Sequence, residues 1–243
     1  MSTWCGWPRK DNSEQEESDI DRLKLAQAID HTLLRADGTQ DEVRNLCREA
    51  REFGFGAVCV NPCFVSLAAR ELDGTGVKVC TVIGFPLGAN AVETKVTEAR
   101  LAATDGAHEI DIVLNIGALK EGDSKYLMSE ADKVIEGARD VNRDILVKLI
   151  AETGFLTADE KLLACWVATG SGADYIKNAT GYGPTGAQPD EIRFLRKAVG
   201  SHFGVKAAGG IRDLKTALAL LEAGADRLGT SSGIRIIREW PAE

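Results

Sequence analysis

The stretch "DYIKNATGYGPTGA", residues 174–187, decides how this chain folds. It begins as a short apolar strand, carries Lys177 between Ile176 and Asn178, and then runs into a glycine-rich loop. Glycine lets a backbone turn sharply and approach a ligand closely. A strongly hydrated cation inside an apolar strand, followed by such a loop, indicates a binding or catalytic site at the end of the strand.

Seven further apolar, β-branched runs share this strand-like pattern, and helical patterns separate them. With residues 175–180, the predicted strands are 28–33, 56–60, 78–84, 109–114, 145–151, 204–209 and 227–230. The intervening helical stretches have start signals, such as Thr39 and the capping box formed by Thr157 and Glu160. Strand followed by helix, eight times, predicts an α/β fold with parallel strands, specifically a single (β/α)₈ TIM barrel.

A doubly wound open sheet is the competing fold. That fold usually has a Gly-x-Gly-x-x-Gly turn after its first strand, whereas "HTLLRADGTQ" stands there in this chain. No linker or change of composition divides the chain after its start. We therefore expect one barrel domain over residues 20–243, preceded by a short, polar, disordered tail over residues 1–19 that is rich in Asp and Glu.

The composition limits the classes of partner and of site. The net charge of −8 argues against nucleic acid or an anionic membrane as a partner, and no run of 18 apolar residues could span a membrane. Six cysteines are scattered without a Cys-x-x-Cys pair, which is typical of the reducing cytoplasm. With three histidines and no matching cysteine spacing, we expect no metal site.

Four charged residues interrupt the apolar strands: Asp30, Asp111, Lys177 and Lys206. Barrel interiors are normally filled with branched apolar side chains, and neighbours along a strand point to opposite faces. If the apolar neighbours pack on the helices, these four charges point into the barrel, near the C-terminal ends of the strands. A purely structural ion network is the alternative, but barrel enzymes keep their chemistry at that end.

Lys177 and Lys206 come from adjacent predicted strands. Strands lie ~4.8 Å apart, so the two ammonium groups could approach within about 5–6 Å. Their repulsion would then be ~3 kcal/mol at an effective dielectric constant of 20, and burial adds to it. Both effects favour the loss of one proton, and a neutral lysine amine attacks a carbonyl to form a Schiff base. Asp111 would transfer protons.

Three glycine-rich loops follow the last three predicted strands, "TGYGPTGA" (180–187), "AGGIRD" (208–213) and "GTSSGIR" (229–235). In barrels, the loops after strands seven and eight commonly form a phosphate site with a short helix. Each loop alone could be a simple tight turn, but three at adjacent strand ends favour a phosphate. The residues therefore predict a class I aldolase that acts on a phosphorylated sugar.

The chain also resembles the deoxyribose-phosphate aldolase family over residues 25–237. The motifs that carry this resemblance are "IDHTLL", "VCVNPCFV", "VIGFPLGAN", "EIDIVLNIGAL", "AETGFLT", "YIKNATGYGPTGA", "VKAAGGIR" and "GTSSGIRII". The resemblance implies reversible cleavage of 2-deoxy-D-ribose 5-phosphate to acetaldehyde and D-glyceraldehyde 3-phosphate. It implies no metal or cofactor, because the protonated imine of such an enzyme is already the electron sink.

The resemblance also assigns roles to residues. It implies that Lys177 is the Schiff-base lysine, Lys206 the second lysine and Asp111 the proton-relay aspartate. The residues implied for phosphate binding are Gly181, Gly209, Gly210, Ser231 and Ser232. Residues with an implied supporting role are Asp30, Thr32, Glu152 and Thr180.

One departure from the family pattern leaves alternatives open. The family usually has Thr-Ser after its Schiff-base lysine, whereas this chain has Asn178 and Ala179, so a hydroxyl that would face the pocket is lost. A related Schiff-base aldolase with a different phosphorylated sugar or aldehyde acceptor is therefore one alternative. A catalytically silent barrel used as a binding protein is the other. A homodimer is plausible for such a barrel.

Overall fold

A computed structural model describes residues 20–241, and the predicted tail over residues 1–19 lies outside the described residues. Eight parallel strands close into a barrel in chain order, each paired with the next and the eighth with the first. The strands are β1 (Ile29–Leu33), β2 (Ala57–Val60), β3 (Lys78–Ile83), β4 (Glu109–Val113), β5 (Leu146–Ile150), β6 (Tyr175–Lys177), β7 (Gly204–Ala208) and β8 (Arg227–Thr230). The predicted TIM barrel is confirmed.

The helices surround the barrel and connect successive strands. They are α1 (Arg22–Ala28), α2 (Gln40–Phe53), α3 (Val65–Leu72), α4 (Val92–Thr104), α5 (Ile116–Glu121), α6 (Ser124–Arg139), α7 (Ala158–Gly170), α8 (Pro189–Val199), α9 (Leu214–Glu222) and α10 (Gly233–Arg238). Capping boxes at Thr39 and Thr157 begin α2 and α7, as the sequence predicts. Within residues 20–241, no helix is long and apolar enough to cross a membrane.

The two faces of the strands carry different residues, as predicted. The outward-facing residues, such as Ile110, Ile112, Ile176 and Val205, are buried in one apolar core between the strands and the helices. Inside the barrel, a smaller apolar cluster of Ala57, Cys59, Cys80 and Val82 lies on the β2–β3 side. The charged side chains occupy the rest of the interior, so the barrel has an apolar half and an ionic half.

Seven of the eight strands are one to three residues shorter than the sequence predicts, and β1 and β6 show why. β1 starts at Ile29 because Ala28 ends α1, a helix that the strand pattern did not reveal. β6 ends at Lys177 rather than at residue 180. After Lys177 the chain leaves the sheet because its backbone bonds to the loop that follows β5. In that contact, Thr153 N–H donates to Asn178 O at 2.8 Å.

The capping box of α7 provides a test of the fold's local energetics. Thr157→Ala removes the side-chain oxygen that accepts from Glu160 N–H, and we expect the free energy of unfolding to fall by about 1 kcal/mol. Urea unfolding followed by circular dichroism measures this. Thr97→Ala is the matched control, because its hydroxyl only bonds to Glu93 O inside α4 and alanine favours a helix interior. Equal losses in both variants would contradict the capping role.

Candidate active site

The Asp111 carboxylate in the middle of β4 is the centre of the barrel's charged interior. Its Oδ2 accepts from Lys177 Nζ at 2.8 Å and from Lys206 Nζ at 2.7 Å. Its Oδ1 lies 3.1 Å from Lys148 Nζ and accepts from Cys80 Sγ at 3.2 Å. The carboxylate and all three ammonium groups are buried. One anion thus holds together three cations that would otherwise repel one another.

A second layer of charges lies below Asp111, toward the N-terminal ends of the strands. Asp30 forms ion pairs with Lys206 and with Arg227, whose Nε donates to Asp30 Oδ1 at 2.9 Å. Glu109 accepts from Lys148 at 2.5 Å and from Arg227 Nη1 at 3.2 Å. Each interior charge is therefore paired, as a buried charge must be to be tolerated.

The interior network contains one more cationic group than anionic group. The cations are Lys148, Lys177, Lys206 and Arg227, and the anions are Asp30, Glu109 and Asp111. Buried sites disfavour uncompensated charge, so the network is balanced when one of its four basic groups is neutral.

The pKa shifts show which groups keep their charge. Burial alone would raise the pKa of Asp111, but Lys148, Lys177 and Lys206 outweigh it and hold that pKa well below its usual value. Burial opposes the charge on Lys206, yet Asp111 and Asp30 raise its pKa. Asp111 and Glu109, together with the Cys80 and Asp30 groups, raise the pKa of Lys148 in the same way. Lys148 and Lys206 are therefore fixed cations.

This arrangement corrects the sequence-based picture in two respects. The two lysines of β6 and β7 are indeed register partners, but the shared Asp111 carboxylate offsets the repulsion that was expected between them. Asp30 is not near the C-terminal end of its strand: it is the second residue of β1 and contacts Arg227 in the lower layer. Lys177 alone among the four predicted charges ends its strand.

Sequence reasoning missed three members of the network, Glu109, Lys148 and Arg227. Lys148 stands inside the apolar run "ILVKLIA" and is the register partner of Asp111, so the signal that revealed the other charges was present. Glu109 and Arg227 begin their strands, where a charged residue ordinarily faces solvent. Only closure of the barrel shows that they point inward and pair.

A pocket of about 670 Å³ opens above the network at the C-terminal ends of the strands. Lys177 reaches its wall, whereas Asp111 and Lys206 lie beneath it, at 0% exposure. Of the other predicted residues, the wall contains Thr32, Thr180, Gly181, Gly209, Gly210 and Ser231. Ser232 lies beside the wall, where its N–H donates to Thr230 Oγ1 at 2.9 Å. The pocket therefore brings one amine together with the three glycine-rich loops.

The loop that follows β6 is held by the loop that follows β5. Glu152 Oε2 accepts from Thr180 N–H at 3.0 Å and from the Thr180 hydroxyl. Among residues 20–241, Glu152 is the non-glycine residue with a left-handed backbone, at φ 50°. Such strain persists only where the surroundings enforce it, and it clusters at functional sites. Gly183 leaves room for the carboxylate, because a Cβ there would collide with Glu152 Oε1.

Asn178 and Ala179, the two residues that depart from the family pattern, are both buried. Asn178 is buried, and its Oδ1 accepts from Ala208 N–H at 2.8 Å, so it joins the end of β6 to the end of β7. Ala179 is completely buried, and the pocket wall beside it is formed by Thr180 and Gly181. Thr180, rather than Ala179, is thus the residue that lines the pocket at this point.

Comparison with known proteins shows the family of this barrel. Residues 24–239 match the model of the DeoC/LacD family aldolases. The chain belongs to this family. It is 51% identical over 218 residues to a deoxyribose-phosphate aldolase from Thermoanaerobacter sp. (strain X514), which covers 90% of this chain and 97% of that one.

Two solved structures of this aldolase group superpose closely on the barrel. "QR15, an Aldolase" is 40% identical, with a TM-score of 0.83, over 89% of this chain and 95% of that chain. A deoxyribose phosphate aldolase from Aeropyrum pernix, described as having a unique tetrameric structure, is 32% identical with a TM-score of 0.85, over 90% and 92% of the two chains.

The low pKa of Asp111 makes the aldolase's stability depend on pH. A carboxyl whose pKa is depressed on folding contributes stability above its unfolded pKa, about 3.9, and that stability is lost as the pH falls through its folded pKa. Asp111→Asn should lower the free energy of unfolding at pH 7 by about 3–5 kcal/mol. Between about pH 4 and pH 3, its stability should also fall by about 1 kcal/mol less than the wild type's.

Urea unfolding at a series of pH values measures both effects. Asp190→Asn is the matched control, because that side chain is 95% exposed and forms only a surface pair with Arg193. A profile of Asp111→Asn parallel to the wild-type profile would contradict the assignment of a depressed pKa to this carboxyl.

Proposed function

We propose that this protein is a class I aldolase that reversibly cleaves 2-deoxy-D-ribose 5-phosphate to acetaldehyde and D-glyceraldehyde 3-phosphate through an imine on Lys177. The observation that carries the proposal is the position of Lys177, the amine that joins the buried ionic network to the pocket. The relatives named deoxyribose-phosphate aldolase support the choice of substrate. The activity is a carbon–carbon lyase reaction.

Lys177 acts as the nucleophile in this proposal. Its Nζ lies 2.8 Å from Asp111 Oδ2, the oxygen that Lys206 also contacts, and Lys177 lines the pocket. The neutral Lys177 amine adds to the C1 aldehyde of the open-chain sugar and gives a carbinolamine. Loss of one water then gives the protonated imine, which withdraws electrons from the adjoining carbon–carbon bond.

Asp111 moves the protons that these steps require. Its Oδ2 contacts both Lys177 and Lys206, so it can take a proton from the attacking amine and return it to the carbinolamine hydroxyl that leaves as water. When the C2–C3 bond breaks, its electrons pass to the imine to give an enamine, and the C3 hydroxyl loses its proton as glyceraldehyde 3-phosphate forms. Protonation of the enamine and hydrolysis release acetaldehyde and restore Lys177.

The three glycine-rich loops hold the phosphate in this proposal. Gly181 and Gly210 have left-handed backbones, at φ 90° and 77°, and no atom lies within 4 Å of the place where a Cβ would stand. Their backbone can therefore approach an anion without a side chain in the way. Gly209, Ser231 and Ser232 complete the cradle with further N–H and hydroxyl groups.

The remaining predicted residues support these groups. Asp30 pairs with Lys206 and keeps it charged, and Thr32 lines the pocket while its hydroxyl donates to Asp30 O at 2.8 Å. The Thr180 hydroxyl donates to Glu152 and accepts from Tyr182 N–H at 3.0 Å. These two bonds fix Thr180 in the pocket wall beside Lys177.

The setting of the enzyme is also a proposal. The five free cysteines of the described residues suit a reducing compartment, and we place the activity in the cytoplasm. We expect at least a homodimer, and the tetrameric Aeropyrum pernix relative supports an assembly of several chains. The imine serves as the electron sink, so the proposed reaction requires neither a metal nor a cofactor.

Borohydride trapping tests the nucleophile directly. Wild-type protein reduced with acetaldehyde should carry an ethyl adduct on Lys177, and protein reduced with deoxyribose 5-phosphate should carry there the ethyl adduct, the five-carbon phosphorylated adduct or both, found by peptide mass mapping. Lys177→Leu should form no adduct and lose cleavage by at least about 10³-fold, because Lys177 is the one lysine among residues 20–241 that lines the pocket. Lys125→Leu, a change on the outer surface of α6, should leave both readings unchanged. An adduct on another lysine, with Lys177 itself unmodified, would exclude Lys177 as the nucleophile.

A double-mutant cycle tests the role of Glu152. Glu152→Gln weakens the acceptor for Thr180, and Thr180→Val removes the hydroxyl, so each should lower kcat/KM by about tenfold. If Glu152 acts through Thr180, the double variant should be no worse than Thr180→Val alone. Multiplying losses would show that Glu152 acts independently of Thr180. Circular dichroism checks that each variant is folded.

A further inference from the structure

The hydroxyl of Thr230 joins two of the loops that are proposed to hold the phosphate. Thr230 is the last residue of β8 and is buried. Its Oγ1 donates to Ile211 O at 2.6 Å and accepts from Ser232 N–H at 2.9 Å. Ile211 directly follows the Gly209–Gly210 turn after β7, and Ser232 lies in the loop after β8. One hydroxyl thus uses its donor and an acceptor lone pair to hold both loops.

The loop after β6 is joined to the loop after β7 in a different way, through the backbone. Ala187 N–H, at the end of the stretch 180–187, donates to Gly209 O at 2.9 Å. The two segments approach so closely that a Cβ on Gly186 would collide with Gly209 O. These two loops therefore form one unit without the help of a side chain. Thr230 attaches that unit to the end of β8.

The loop after β7 needs such an attachment because its own backbone is permissive. Gly209 and Gly210 both have left-handed backbones, at φ 94° and 77°, and glycine has no Cβ to restrict its rotation. Ile211 is buried, at 3% exposure, so its carbonyl oxygen depends on a partner within the protein. The Thr230 hydroxyl supplies this partner. Without it, Ile211 O would have to shift toward water or another donor, and the glycine turn would shift with it.

We propose that Thr230 is a positioning residue that sets the preference of this enzyme for a phosphorylated sugar over an unphosphorylated one. It acts through its neighbours Gly210 and Ser231, which line the pocket in the two loops that it joins. A cradle assembled from several loops binds an anion well only while the loops keep their spacing, and a displacement of about 1 Å can cost about 10²-fold in rate. The inference rests on the proposed function, since it explains what holds the proposed phosphate cradle in place.

The experiment compares substrates that have and that lack the phosphate. The main readout is the ratio of kcat/KM for cleavage of 2-deoxy-D-ribose 5-phosphate to kcat/KM for cleavage of 2-deoxy-D-ribose. The rate of borohydride trapping of acetaldehyde on Lys177 is the second readout, since acetaldehyde carries no phosphate. A general loss of packing around the site would lower all three rates together, whereas a displaced phosphate cradle would lower the rate with the phosphorylated sugar alone.

Thr230→Val keeps the branched shape of the side chain and removes the hydroxyl that bonds to both loops. It should lower kcat/KM for the phosphorylated sugar by about tenfold, and the other two rates should change by no more than about threefold. Thr230→Ser keeps the hydroxyl and should return the ratio to within about threefold of the wild-type value. Thr230→Ala is a second variant without the hydroxyl, and it takes the place of Thr230→Val if circular dichroism shows that the valine variant is unfolded.

Thr81→Val is the matched control for the loss of a buried threonine hydroxyl. The Thr81 hydroxyl donates to a carbonyl oxygen, that of Val60, at 2.8 Å, and this residue is buried as Thr230 is. Its bond joins β3 to β2, on the side of the barrel away from β7 and β8. The ratio in this variant should therefore stay at the wild-type value.

The outcomes separate this inference from the proposed function. A lower ratio in Thr230→Val that Thr230→Ser restores supports the inference. An unchanged ratio in the folded valine or alanine variant overturns it and leaves the proposed function intact, as does an equally low ratio in Thr81→Val or in Thr230→Ser. Equal kcat/KM for the two sugars in wild-type protein also overturns it. If wild-type protein cleaves neither sugar and forms no Lys177 adduct, the proposed function and this inference are both overturned.

Discussion

The shared Asp111 carboxylate is the interaction on which the rest of this structure depends. Three lysines from three other strands point at it inside a barrel, where water cannot solvate them. An uncompensated charge in such a place is very costly, so each of these lysines requires the anion. The second layer, formed by Asp30, Glu109 and Arg227, extends these ion pairs toward the N-terminal ends of the strands. The interior is therefore held by charge complementarity where many barrels use apolar layers.

The same constraint explains how reactivity is confined to one amine. The cations Lys148, Lys206 and Arg227 each pair with two carboxylates and lie below the pocket floor. Lys177 shares its single carboxylate oxygen with Lys206, and it ends its strand at the edge of the pocket. The stability of the fold and the chemistry of the site thus come from one arrangement, so a change in Asp111 must affect both.

The loop after β6 must be held rigidly, because it carries Thr180 and Gly181 beside the reactive amine. Three kinds of contact hold it: the Glu152 carboxylate from the loop after β5, the Asn178 bond to β7, and the bond of the Tyr182 hydroxyl to Leu34 O across the mouth of the barrel. Each comes from a different neighbour around the ring of strands. The reactive edge of the barrel is therefore positioned from three sides by residues that do not themselves react.

The sequence by itself determined the alternation of strands and helices, the capping boxes, the four inward charges and the glycine-rich loops, because these depend on local periodicity and on residue chemistry. It did not reveal Glu109 and Arg227, since a charge that begins a strand has the same local pattern whether it faces solvent or a partner. It also could not show that Asp111 joins both lysines or that Tyr182 reaches Leu34 across the mouth. Those contacts join residues far apart in the chain, and only closure of the barrel brings them within bonding distance.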